Sequence, residues 1–158
     1  MKTSAIVNAL AGTYSLFDIN GTRDGVPVPG PEQEGLITYT RYGFVSATIM
    51  DSNPANRWQN LTYPPTNDTG EYDAGWALIG KLGLAYAGPF SINTTVPASK
   101  TQGQLIHGPV TIASVPNWVG LNMTREYKIL KTAREGTVLT LTARRGNAEN
   151  TLWWKKIA

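Results

Sequence analysis

The 158-residue sequence predicts an all-β fold, a single antiparallel β-barrel of about eight strands with one short helix. Three observations predict it. Apolar and polar residues alternate at period two in several runs. Clusters of Gly, Pro and Asn separate those runs. The apolar fraction of 41% supports one sizeable core, and a charged fraction of 16% argues against disorder and against a coiled coil. Strands in this number must hide their edges, and closure into a barrel does so completely. The whole chain, 1–158, is read as one domain, with 1–9 as a flexible N-terminus.

The C-terminal third is the clearest part. In "LNMTREYKIL", Met123, Arg125, Tyr127 and Ile129 share one side. Thr124, Glu126 and Lys128 fill the other, with Leu130 the one apolar exception. "KTAREG" is turn-like and leads into "TVLTLTARR", where Leu139, Leu141 and Ala143 oppose Val138, Thr140 and Thr142. "GNAEN" is rich in turn formers, and "TLWWKKI" reads as the last strand.

The front half follows the same scheme. "GTYSLFDI" and "GLITYT" read as strands separated by a Gly/Pro-rich loop, "NGTRDGVPVPGPEQE". "RYG" links tightly to "FVSATIM". The stretch "DSNPANRWQNLTYPPTNDTG" is a long Pro- and Asn-rich excursion that no regular strand accommodates. "EYDAGWALIGKLGLAYAG" is the helix candidate, with Trp76, Ile79 and Leu82 on one face. "LAYAGPFSINTT" and "QGQLIHGPVTIAS" return to strands, broken at Gly88-Pro89 and Gly108-Pro109, where bulges, bends or edges are expected.

Composition excludes several classes. Cysteine is absent and His107 is the sole histidine, which removes disulfides, thiolate sites and the common His/Cys zinc sets. No phosphate-binding Gly loop, Gly-x-Ser-x-Gly elbow, nucleotide or flavin fingerprint is present. No metal and no cofactor is expected. No apolar run is long enough to cross a bilayer, and "MKTSAIVNALAGTY" does not read as a signal peptide, so a cytoplasmic protein is expected. Sequons begin at Asn20, Asn60, Asn67, Asn93 and Asn122; such triplets arise often by chance and are read as unmodified. Residues 1–99 hold five Lys/Arg against eight Asp/Glu, and residues 100–158 hold nine against three. The basic residues fall in pairs at strand ends, such as Arg144-Arg145 and Lys155-Lys156. They read as solvated edges, and no nucleic-acid partner is expected.

Three stretches carry a family resemblance. "LAGTYSL" is similar to the Gly-x-Trp opening strand of lipocalin-like proteins, with Tyr14 in the Trp position. "GLITYTRYGFVSATIM" resembles the second hairpin of the bacterial and fungal lipocalin-like domain. "PNWVG", "REYKI" and "VLTLT" resemble its C-terminal half. The resemblance runs from about Leu10 to Ile157. It implies a cup for one small, mostly apolar molecule. A monomer or homodimer is expected. It also implies a chemistry: some members and relatives are cyclases or isomerases of secondary-metabolite biosynthesis, including catalysts of Diels–Alder-type closures. It carries over no catalytic residue.

Arg125 stands out because its parity places a permanent charge on the apolar side. It needs a partner or a ligand oxygen. One reading has it pack over Tyr14 and cap the barrel end, as lipocalin-type barrels often do; the other has it face the ligand. His107 is a candidate acid or base, or a hydrogen-bonded structural residue. Asp51 and Asp73 flank the irregular excursion, and Asp51 is the candidate rim carboxylate for proton transfer; both residue positions also suit turn and helix caps. The ligand-lining candidates are Tyr39 and Phe44, expected to share a face across their hairpin, with Trp58, Trp76, Tyr86, Phe90, Trp118, Met123 and Tyr127. The function expected is a cofactor-independent cyclase or isomerase of a polyketide- or terpenoid-like natural product held inside the barrel. The alternative is a carrier that binds a hydrophobic metabolite unchanged; a barrel with a filled interior is a third reading.

Overall fold

A computed structural model describes residues 3–65, 70 and 72–158; the Asn67 sequon lies outside them. Helix α1 (Thr3–Leu10) leads into strands β1 (Gly12–Arg23), β2 (Val26–Pro29), β3 (Gln33–Tyr39) and β4 (Phe44–Asp51). Helix α2 (Asp73–Leu82) precedes β5 (Gly83–Ile92), β6 (Gln102–His107), the two-residue β7 (Ile112–Ala113), β8 (Met123–Thr132), β9 (Gly136–Arg145) and β10 (Ala148–Lys156). Eight strands close the barrel in the order β1-β3-β4-β5-β6-β8-β9-β10, and β10 pairs back onto β1. All pairings are antiparallel. The expected all-β barrel is present, with two short helices in place of the one expected.

The second helix is α1. Instead of a flexible lead-in over 1–9, Thr3–Leu10 form an amphipathic helix of about two turns whose Ile6 and Leu10 are buried. It plugs one end of the barrel. Tyr14, at the start of β1, is fully buried and donates its hydroxyl to the Leu10 carbonyl at 2.8 Å. The cation over the Tyr14 ring is Lys156, with Nζ 5.5 Å from the ring centroid and 2.7 Å from the Ala11 carbonyl. The capping role considered for Arg125 thus belongs to Lys156.

The Gly/Pro-rich loop expected between the first two strands is partly a hairpin. β1 continues to Arg23 and pairs with β2 across Asp24-Gly25, whose φ values of 52° and 76° suit a tight primed turn. An Asp-Gly turn of this kind favours a left-handed backbone that glycine adopts freely. The β1–β10 register shifts between Leu16 and Asp18. This bulge changes which parity faces inward: Tyr14 and Leu16 point in, then Ile19 does, and Asp18 stays exposed.

The barrel wall is irregular between β5 and β6. Those strands pair only over Phe90–Ile92 and Leu105–His107. Pro109 has no N–H with which to continue the β6 ladder. The chain turns away, and β7 pairs with Tyr86 and Ala87 instead. Gly88 permits the approach, since a Cβ there would lie 2.9 Å from the Thr111 nitrogen. The segment then passes through a 3₁₀ turn, Pro116–Trp118, and rejoins the wall at β8.

Tyr14→Phe removes one buried hydrogen bond and is expected to cost about 1 kcal/mol. Tyr14→Ala also removes the ring that joins plug to barrel and is expected to cost about 3–5 kcal/mol. Urea unfolding of the two variants measures the difference; equal losses would mean that the ring contributes nothing beyond its hydroxyl.

Candidate functional site

The barrel holds an interior cavity of about 330 Å³, the lower end of what a small-molecule site requires. Its walls are mainly aliphatic and aromatic: Ile19, Ile37, Ile49, Leu84, Leu141 and Trp154. Alternation on β3, β4, β5, β9 and β10 delivers these residues, and the β1 bulge delivers Ile19. Pro31, Gln33, Arg145 and Asn150 surround the mouth. Trp118 enters through the irregular wall and packs 5.9 Å from the Tyr86 ring.

Beneath the cavity lies an aromatic floor. The Tyr39 ring meets Tyr14 edge-on at 6.4 Å and Phe90 at 4.9 Å. His107 is fully buried between two phenols: its Nε2 is 2.7 Å from the Tyr39 hydroxyl and its Nδ1 2.9 Å from the Tyr86 hydroxyl. Burial depresses the His107 pKa to about 3, and the nearby Arg125 charge pushes it the same way. The imidazole is therefore neutral and carries one N–H. Burial likewise raises the Tyr86 pKa to about 12, against the opposing pull of Arg125, and holds Tyr39 well above the usual phenol range.

A neutral His107 leaves one of the two phenol protons without a partner in this chain. The order that puts that proton on Tyr86, the phenol that lines the cavity, has Tyr39 donate to Nε2. Nδ1 then carries the imidazole proton and donates to the Tyr86 oxygen. The Tyr86 proton is left free, and Tyr86 is the member of this chain that lines the cavity.

Arg125 lines the same cavity, as the parity of β8 predicts. Its Nη1 donates to the Thr124 carbonyl at 2.8 Å, and its Nη2 lies 3.8 Å from the Met123 sulfur. Among the described residues it forms no ion pair. The site therefore presents a guanidinium and a phenolic donor to one apolar space. This arrangement can hold an oxygen atom and stabilise negative charge on it. Among the described residues no three His, Cys, Asp or Glu side chains cluster as metal ligands would.

The other candidates divide. Phe90 and Met123 are buried and support the floor and Arg125 respectively. Tyr127 is buried further down and donates to the Ser99 carbonyl at 2.6 Å, away from the cavity lining. Phe44 is 56% exposed. Tyr39 pairs with Val45, so the turn from Thr40 to Gly43 puts Val45, not Phe44, on the inner face. Asp51 points outside the barrel: its carboxylate accepts from the Asn53 N–H at 2.7 Å and the Asn56 amide at 3.1 Å, fastening the turn after β4. Trp58 lies over Gly75 of α2 in an outer groove, with Asp51 among that groove's walls. Trp76 is half-buried on α2 and does not line the barrel cavity, and Asp73 is the first residue of that helix. Asp51, Trp58 and Trp76 are away from the site because the described part of the excursion and α2 pack on the outer side of the sheet rather than over the mouth; Asp73 takes the helix-start position it also suited. Trp154 and Ile19 were missed; the first follows from β10 alternation, the second from a bulge that no local signal marks.

Such a closed antiparallel cup, plugged at one end and hollow at the other, is the barrel of a ligand-binding domain and fits a small, mostly apolar molecule. The family model described as a lipocalin-like domain matches residues 11–157, and the chain belongs to that family. No curated protein is significantly similar. A solved structure described as a redesigned beta barrel matches over 100% of this chain and 98% of that one at 11% identity, with a TM-score of 0.36, too slight a likeness to bear on function. Among the described residues no helix is long and apolar enough to cross a membrane.

The His107 pKa yields a pH dependence. The folded value of about 3 lies below the ordinary histidine value of 6.5, so the unfolded chain binds more protons between them. The stability that His107 contributes is full above pH 6.5 and declines as pH falls toward 3. Over that window the loss is on the order of a few kcal/mol. His107→Gln should be less stable at pH 7 yet flatten this slope, read by urea unfolding from pH 7 to 4. The ¹⁵N shifts of the wild-type imidazole should report the neutral Nδ1–H tautomer throughout; an Nε2–H signal would reverse the assigned proton order.

Proposed function

We propose that the barrel is a cofactor-independent cyclase or isomerase of a small, mostly apolar natural product, of the polyketide or terpenoid kind. The observation that carries this is the pairing of Arg125 with the free Tyr86 proton inside an otherwise apolar cavity. A carrier needs only shape; two placed donors with no carboxylate beside them suit a reacting oxygen.

The mechanism has two parts. The cavity walls fold a flexible chain so that its reacting carbons meet, which removes several kcal/mol of barrier. Arg125 and Tyr86 donate to a substrate carbonyl and polarise it, as pericyclic closure of the Diels–Alder type or a double-bond shift requires. His107 does not exchange protons with the substrate near neutral pH. It is a positioning residue that holds the Tyr86 hydroxyl, and Trp118 closes the space over the reacting groups.

The test is incubation with extracts of the producing organism, followed over time by LC-MS. One metabolite should disappear as an isomer of equal mass grows in. Arg125→Ala or Tyr86→Phe should slow this about 10²-fold, the usual effect of deleting one donor to a developing oxyanion. Trp118→Ala, which alters cavity shape, should slow it at least as much. A metabolite that binds and is recovered unchanged would replace this reading with the carrier.

A further inference from the structure

The cavity carries positive charge and hydrogen-bond donors, with nothing acidic to meet them. Arg125 has a carbonyl and a thioether as its neighbours and no carboxylate among the described residues. Arg145 stands at the mouth, two residues beyond Ala143 on the inward side of β9. Its neighbour Arg144 is the contrast: it ion-pairs with Glu126 at 2.9 Å and with Glu149 at 2.6 Å on the outside. No Asp or Glu lines the cavity among the described residues. The Trp154 indole N–H is buried with no acceptor, a further donor in surplus.

A guanidinium among apolar walls is costly until an anion reaches it, and it favours delocalised anions that accept two hydrogen bonds at once. The geometry points to a ligand with an apolar body and one acidic oxygen group, a carboxylate or an enolate, seated on Arg125 and Tyr86. The body lies against Ile37, Ile49 and Leu141. Arg145 draws the anion to the mouth from solution. This rests on the cavity being the ligand site named above, and not on catalysis there.

The probes are 2-naphthoate and its neutral isostere 2-naphthamide, titrated at pH 7 by calorimetry. Naphthoate should bind about tenfold more tightly or better, as a charge-assisted pair in a partly dry site gives. Arg125→Met should bring the two probes within about twofold, and Arg125→Lys should keep part of the preference. Arg145→Met should slow naphthoate association in stopped-flow tryptophan quenching and weaken its salt dependence, leaving naphthamide unchanged. Equal binding of both probes to the wild type overturns the acid preference and leaves the cavity as the ligand site. A preference that survives Arg125→Met does the same. If neither probe binds at millimolar concentration, the cavity reading falls and the acid preference with it.

Discussion

The interior is organised around one neutral imidazole held between two phenols. His107, Tyr39 and Tyr86 come from three strands of the wall, β6, β3 and β5, and their two hydrogen bonds cross the barrel floor. A polar group so deep destabilises the core unless each of its atoms is paired. Both ring nitrogens are paired, so burial is tolerated and the geometry is specified. Removing one partner leaves an orphaned donor or acceptor and costs about 1–3 kcal/mol. The chain therefore fixes the spacing of the floor and, through its proton order, the direction of the donor above it.

What lies above that floor is set by two breaks in regularity. The bulge at Leu16–Asp18 keeps Asp18 outside and turns Ile19 in. The departure of the chain at Gly108-Pro109 separates β5 from β6 and lets the following segment supply Trp118. A barrel of eight strands has an interior that its own side chains can just fill or that can hold one small ligand. Here the plug, α1, closes one end, while the irregular wall and the open mouth leave usable volume at the other.

The parts legible in the sequence are those governed by period two. Arg125 faces inward because Met123 and Tyr127 do, and β8 has no bulge to disturb the count. Helix α2 was visible from its apolar spacing despite its glycines. The β1–β2 hairpin had its Asp-Gly signal in plain view, masked by the surrounding prolines. Phe44 was misassigned because the face of a strand depends on turn length, and one residue reverses it. The partner of His107 was beyond reach: Tyr39 is 68 residues away and Tyr86 is 21 away, and only closure of the sheet brings them together. The same holds for Lys156, which lies over Tyr14 only because the last strand pairs with the first.

Under the proposed function, Arg125 would bear on binding and on rate in different ways. If the ligand enters already anionic and the charge stays where it is, the guanidinium stabilises ground state and transition state alike, and the barrel gains affinity without rate. If charge moves onto the oxygen as the ring closes or the double bond shifts, the attraction grows along the reaction and the barrier falls. Tyr86 separates the two cases physically. A phenol whose pKa is raised to about 12 keeps its proton, so it strengthens a hydrogen bond to an oxygen gaining charge without giving the proton up. His107, depressed to about 3, cannot accept that proton near neutral pH, and the substrate oxygen must release its charge within the same step. The site is thus suited to reactions in which charge gathers transiently on one oxygen and returns to carbon, and poorly suited to those that need a net proton transfer to the protein.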